Sequence, residues 1–118
     1  VANLFYRNTN AKISFEVLDL NNNLVGLSST STVFYYIKTP DNYIQSNDPN
    51  VGIYTYANGI GAVISNPVFQ DTLPGMYYIN YVLSKVGEYK YKFQVNDIPN
   101  SINLAVSGDI KVITDGIF

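Results

Sequence analysis

Residues 88–95 alternate without a break: Tyr89, Tyr91, Phe93 and Val95 occupy one phase, and Glu88, Lys90, Lys92 and Gln94 the other. Successive side chains of a strand point to opposite faces, whereas a helix would scatter this set around its axis. One face is thus aromatic and apolar and the other charged or amide-bearing. That is the pattern of an antiparallel sheet with one side on a core and one in water. A chain holding this segment needs a second layer to cover the aromatic face, and the rest of the sequence is read for that layer.

Further segments share the two-residue period. Residues 11–19 place Ile13, Phe15 and Val17 on one side and Ser14 and Glu16 on the other. Residues 76–84 carry Tyr77, Ile79, Tyr81 and Leu83 in one phase. Residues 32–38 are apolar on both faces, as expected of a central strand. Residues 51–57 read as a strand with Tyr54 and Tyr56 on one face, and residues 67–73 include an edge strand. Residues 101–106 and 109–114 read as a last hairpin across Ser107-Gly108. Turn signals separate these runs: Asn21-Asn22-Asn23, Thr39-Pro40-Asp41-Asn42, Asn58-Gly59 and residues 96–100. Residues 43–50 are polar, contain Pro49 and read as loop. Lys85-Val86-Gly87 reads as a short hairpin between its flanking strands. No segment holds helical periodicity over ten residues. Seven to nine short strands, with turns every 8–12 residues, make an all-β antiparallel sandwich of immunoglobulin-like type.

Composition supports a folded domain and removes several kinds of function. The chain has 118 residues, 47% hydrophobic and only 14% charged, enough for one domain with a core. Seven basic residues are scattered and net charge is −2, so no basic stripe exists to displace counterions from nucleic acid. No apolar run approaches the ~20 residues of a membrane span, and no charged-then-apolar leader is present, so a soluble chain is expected. With neither His nor Cys, the Ser-His-Asp and Cys-His arrangements and the usual zinc ligand sets are impossible, and no disulfide can form. The only glutamates, Glu16 and Glu88, fall on outward phases. Of the seven aspartates, Asp41, Asp48, Asp71, Asp97, Asp109 and Asp115 fall almost wholly in turns, where Asp bonds its own backbone. Asp41-Asn42 with Asn47-Asp48 is the nearest approach to a calcium loop and falls short of its ligand count. No catalytic, cofactor or metal residue is therefore expected.

Two motifs stand out together: Leu73-Pro74-Gly75-Met76-Tyr77, and Gly87-Glu88-Tyr89-Lys90-Tyr91-Lys92-Phe93. A Gly-x-Tyr entering a strand resembles the tyrosine corner of immunoglobulin-like sandwiches, in which the Tyr hydroxyl bonds back to the backbone. The resemblance makes Tyr89 the corner residue and puts Tyr91 where antibody domains carry their second cysteine. The missing cysteines and Trp exclude the antibody family itself. The order of elements resembles the immunoglobulin-like modules of tailed-bacteriophage virion proteins. It runs from Arg7-Asn8-Thr9 through the strand at 11–17, Asn58–Gly61, Pro74–Tyr77 and Gly87–Phe93 to the strand at 108–112. Pro-Gly-x-Tyr with Gly-x-Tyr also occurs in bacterial surface repeats.

That resemblance implies a non-enzymatic virion structural protein: a capsid decoration or cement protein, or a neck or baseplate component. Its partners would be other virion proteins and copies of itself. The alternatives are a carbohydrate-binding or host-adhesion module that stacks a glycan on exposed tyrosines, and an immunoglobulin-like repeat of a bacterial surface protein. Residues 1–10 read as an N-terminal arm, 11–114 as the sandwich and 115–118 as a C-terminal tail. The expected contact residues are the apolar ends Phe5, Tyr6, Ile117 and Phe118, with the loop-side Tyr43 and Tyr54. Of the paired tyrosines 35-36 and 77-78, one ring of each pair is expected in the core and the other outside.

Overall fold

In the computed structural model, residues 3–49 and 60–114 are described. Among them are nine strands and no helix: β1 (Asn3–Tyr6), β2 (Thr9–Glu16), β3 (Thr32–Lys38), β4 (Tyr43–Ser46), β5 (Ile60–Val63), β6 (Phe69–Gln70), β7 (Met76–Leu83), β8 (Gly87–Asp97) and β9 (Ile102–Ile113). They form two sheets, one in the order β1-β9-β8-β3-β4-β5 and one in the order β2-β7-β6. The sheets face each other over a single core, so the molecule is an all-β sandwich.

The alternating strands fold as their pattern dictates. Ala11, Ile13, Phe15 and Val17 from the β2 side, and Tyr77, Ile79, Tyr81 and Leu83 from β7, are buried against Tyr35, Ile37, Tyr89, Phe93 and Val95 of the larger sheet. The layers meet ring on ring. Phe15 stacks on Phe93 with centroids 4.3 Å apart, and Tyr81 meets Tyr89 edge-on at 6.1 Å. Burying one such side chain contributes about 1.5–3 kcal/mol. β3 is central, between β8 and β4. Tyr35 and Tyr77 are core residues, while Tyr36 and Tyr78 are half-buried on the outer faces.

The turns account for three of the asparagines. Asn8, Asn22 and Asn42 have φ of 68°, 62° and 66°. This left-handed conformation is one that Asn tolerates better than most side chains.

Four expectations about the chain path are corrected. Residues 43–46 form β4 and are not loop; the polar side chains that suggested loop are satisfied internally, Gln45 accepting from the Tyr81 hydroxyl and Ser46 Oγ accepting from the Asp48 N–H. Lys85-Val86-Gly87 is not a hairpin, because β7 and β8 lie in different sheets and the segment arches between layers. Residues 102–113 are one continuous strand that does not turn at Ser107-Gly108. Gly108 lies directly opposite Tyr91, and a Cβ there would come within 2.5 Å of the Tyr91 Cζ. Its glycine leaves room for that ring. Finally, the larger sheet is mixed: β1 runs parallel to β9 and β5 parallel to β4. The strand expected at 51–57 and the turn at Asn58-Gly59 lie outside the described residues.

Candidate functional site

Three connections gather at one end of the sandwich: residues 17–31 between β2 and β3, residues 71–75 between β6 and β7, and residues 98–101 between β8 and β9. Buried hydrogen-bonding groups stitch them together. Asp97, with no exposed surface, accepts from the Ser28 N–H (2.8 Å), the Ser28 hydroxyl (2.6 Å) and the Asn100 amide (2.7 Å). The Ser28 hydroxyl above all, then its N–H and Asn100, hold the Asp97 carboxyl below the usual carboxylate range despite the cost of desolvation. Tyr77 reaches the same connection, its hydroxyl accepting from the Leu27 N–H at 2.8 Å. Leu73-Pro74-Gly75-Met76 turns through a Met76 N–H to Leu73 carbonyl bond with Gly75 at φ 95°, as a type II turn requires. A Cβ on Gly75 would meet the Val25 nitrogen at 2.9 Å, so the two loops are in close backbone contact.

The tips of these loops are apolar. Leu20 is fully exposed and Ile98 is 78% exposed; Leu18 and Leu73 are about half exposed. Leu20 is held out by a tight turn in which Asp19 Oδ1 accepts from the N–H groups of Asn21 (2.8 Å) and Asn23 (3.0 Å). Those same two donors, Asn23 first, hold the Asp19 carboxyl below its ordinary range. Leu18 and Leu20 border a hollow of about 440 Å³ whose far wall is formed by residues 100–104. A turn tip in water is ordinarily polar. Four large apolar side chains thus stand exposed on three connections that are bonded to one another.

Tyr6 and Tyr43 lie at the opposite end, both substantially exposed. Four strand spacings separate β1 from β4, about 19 Å at the usual spacing between strands. The Tyr43 ring is partly covered by the Lys85 ammonium, 5.0 Å from its centroid, and Lys85 also bridges to Asp41 at 2.7 Å. Lys85 and the Thr39 hydroxyl hold the Asp41 carboxyl low. Phe5 is half-buried against the core, beside Ile13, Tyr91 and Ile110. Tyr54, Ile117 and Phe118 lie outside the described residues. The structure therefore brings Tyr6 and Tyr43 to one end and turns Phe5 inward.

Tyrosine hydroxyls serve as clamps across the molecule. Tyr89 accepts from the Lys85 N–H at 3.0 Å, the backward bond expected of a corner residue. Tyr35 donates to the Asn66 carbonyl at 2.7 Å, and burial pushes its hydroxyl up to about 12. Tyr36 donates to Asp48 at 2.7 Å. Burial, followed by neighbouring Tyr89 and Asp41, also raises Tyr81. Among the described residues the carboxylates go to separate partners: Glu16 is exposed, Glu88 and Asp109 share Lys90, Asp48 is committed to Tyr36 and Asp41 to Lys85 and Thr39. Among the described residues no three His, Cys, Asp or Glu side chains are placed to share a metal ion.

The loop-end leucines and Ile98 were not among the contact residues expected from sequence. Their signal was present: single large apolar residues inside turn-forming runs, as in Leu18-Asp19-Leu20-Asn21 and Asp97-Ile98-Pro99. Comparison with protein-family models, with curated proteins and with solved structures finds no match to the chain.

Proposed function

We propose that this chain is a non-enzymatic building module of immunoglobulin type that joins protein neighbours in a particle of the tailed-phage kind. The observation that carries the binding half is the loop end, where Leu18, Leu20, Leu73 and Ile98 project from connections pinned by Asp97 and Tyr77. Rigid loops lose little conformational freedom on docking, so the apolar area they bury counts toward affinity.

Strand order supports the immunoglobulin type. In variable-type domains strands B, E and D face G, F, C, C′ and C″. Here β2-β7-β6 faces β9-β8-β3-β4-β5, with β1 added beside β9. Tyr89 supplies the corner, and the Phe15–Phe93 stack ties β2 to β8, the strands that antibody domains join by a disulfide. The parallel β4–β5 pairing departs from that plan. On this correspondence the apolar loop end is the end that carries the antigen-binding loops of antibodies.

The virion setting rests on the sequence resemblance. Its test is detection of the chain in density-banded particles from the source, with incorporation of a Leu20→Ser/Ile98→Ser variant measured beside it. The expected result is presence of the wild type and loss of the variant. Absence of the chain from the particles overturns the setting, and undiminished incorporation of a folded variant overturns the docking end.

A further inference from the structure

The outer face of the six-stranded sheet divides into two halves. Toward the start of β8 it is charged, and Lys90 pairs with Glu88 (3.3 Å) and Asp109 (3.4 Å). Toward the end of β8 it carries a groove of about 480 Å³, within the size range of small-molecule sites. Phe34 and Tyr36 of β3 form one wall, two residues apart on one strand and so about 7 Å from ring base to ring base. Beside them stand carboxamides in register: Gln94 directly opposite Phe34, Asn96 opposite Thr32, and Asn103 opposite Asn96.

Two observations define what would fit. The side chains of Gln94, Asn96 and Asn103 have no hydrogen-bond partner among the described residues, whereas the Tyr36 hydroxyl is held by buried Asp48 at 2.7 Å. Three amides without a partner among the described residues therefore line one groove with the Phe34 and Tyr36 rings. Each carboxamide offers donors and an acceptor together, which matches hydroxyl groups that also do both. Phe34 offers an apolar ring to the C–H face of a pyranose, and Tyr36 borders it. Charge completes the selection. Among the described residues Asp48 is the only charged group in the lining, and Lys92 lies in register opposite Tyr36 at the groove's end. Nothing there concentrates positive charge for a sulfated, sialylated or phosphorylated ligand.

We propose that this groove binds a neutral glycan chain, laid across β3, β8 and β9 with a sugar face on Phe34 and hydroxyls on Gln94, Asn96 and Asn103. The groove adjoins the loop end and shares Asn103 with its hollow, but Phe34, Gln94 and Asn96 lie outside that hollow, so variants at those three positions and at Leu20 let the two readings fail separately.

The probes are maltohexaose, cellohexaose, chitohexaose and a mixed array of neutral and anionic glycans, read by calorimetry and by the side-chain amide signals of the intact chain in NMR. The expected result is saturable binding of at least one neutral probe, with shifts at Gln94, Asn96 and Asn103. Phe34→Ala and Asn96→Ala should each weaken it by about three- to tenfold or more. Tyr43→Ala, at the far end, should leave it unchanged. If Phe34→Ala misfolds, the exposed Gln94→Ala serves in its place. No binding to any neutral probe overturns the proposal. So does preference for anionic glycans, retention of affinity in the Asn96 and Gln94 variants, or a groove that responds only to added protein.

Discussion

Tyr77→Phe removes one oxygen and tests whether the loop end is held from the core. Tyr77 is nearly buried and its ring packs beside Phe15 at 5.6 Å, contacts that phenylalanine keeps. What goes is the acceptor for the Leu27 N–H. A hydrogen bond lost with water able to replace it costs about 0.5–1.5 kcal/mol, and a donor left dry costs about 1–3 kcal/mol. Leu27 is half-buried, so about 1–1.5 kcal/mol is expected. Unfolding entropy near 2.1 cal/mol/K per residue is about 250 cal/mol/K for this chain, so the melting temperature should fall by about 4–6 °C. The assay is urea unfolding with amide exchange. The midpoint should drop at constant slope, and Leu27 and Ser28 should exchange faster while the β8 amides do not. Tyr78→Phe is the control, its hydroxyl having no hydrogen-bond partner among the described residues. A change below about 0.3 kcal/mol, or unaltered exchange at Leu27, would refute the clamp; a loss above about 3 kcal/mol would mean the ring itself had been displaced.

Three further outcomes are expected. Phe93→Ala, which empties the centre of the inter-sheet stack, should cost about 3–5 kcal/mol by chemical denaturation; a loss under 1 would mean that the sheets are not joined there. Gly108→Ala should cost about 1–3 kcal/mol through overpacking against Tyr91, and the double variant with Tyr91→Ala should relieve the clash; equal losses in both backgrounds would contradict the contact. Asp97, Asp19, Asp41 and Asp71 all have carboxyls held below their unfolded values, so the unfolded chain takes up protons first on acidification. Thermal stability should be level above about pH 5 and fall from about pH 4 downward, less steeply in Asp97→Asn, and a rise on acidification would reverse the sign.

Strands whose two faces differ were legible in sequence. In β2, β7 and β8 the buried and exposed residues alternate as the side chains do, and β3, apolar on both faces, was placed at the centre. What alternation does not encode is which sheet a strand joins. β7 and β8 both send aromatic side chains inward, so pairing and facing across a short link look alike in sequence, and Lys85–Gly87 has the look of a hairpin. Glycine misled at position 108, because a small residue required by a ring in contact resembles one required by a turn. Polar residues misled at 43–46, because Gln45 meets its partner, the Tyr81 hydroxyl, only in the fold. The loop end escaped for a related reason: that Leu20 and Ile98 remain outside depends on the pinning of their loops by Asp19, Asp97 and Tyr77, and those partners are up to 69 residues apart.

The most direct test is residue-level protection, by hydroxyl-radical footprinting, of the chain free and within the proposed particle. Protection on assembly is expected at Leu18, Leu20, Leu73 and Ile98, with the buried Phe15 and Phe93 unreactive in both states. Protection confined to other surfaces, with Leu20 and Ile98 as reactive in the assembly as in the free chain, would contradict the claim that this sandwich docks by its loop end.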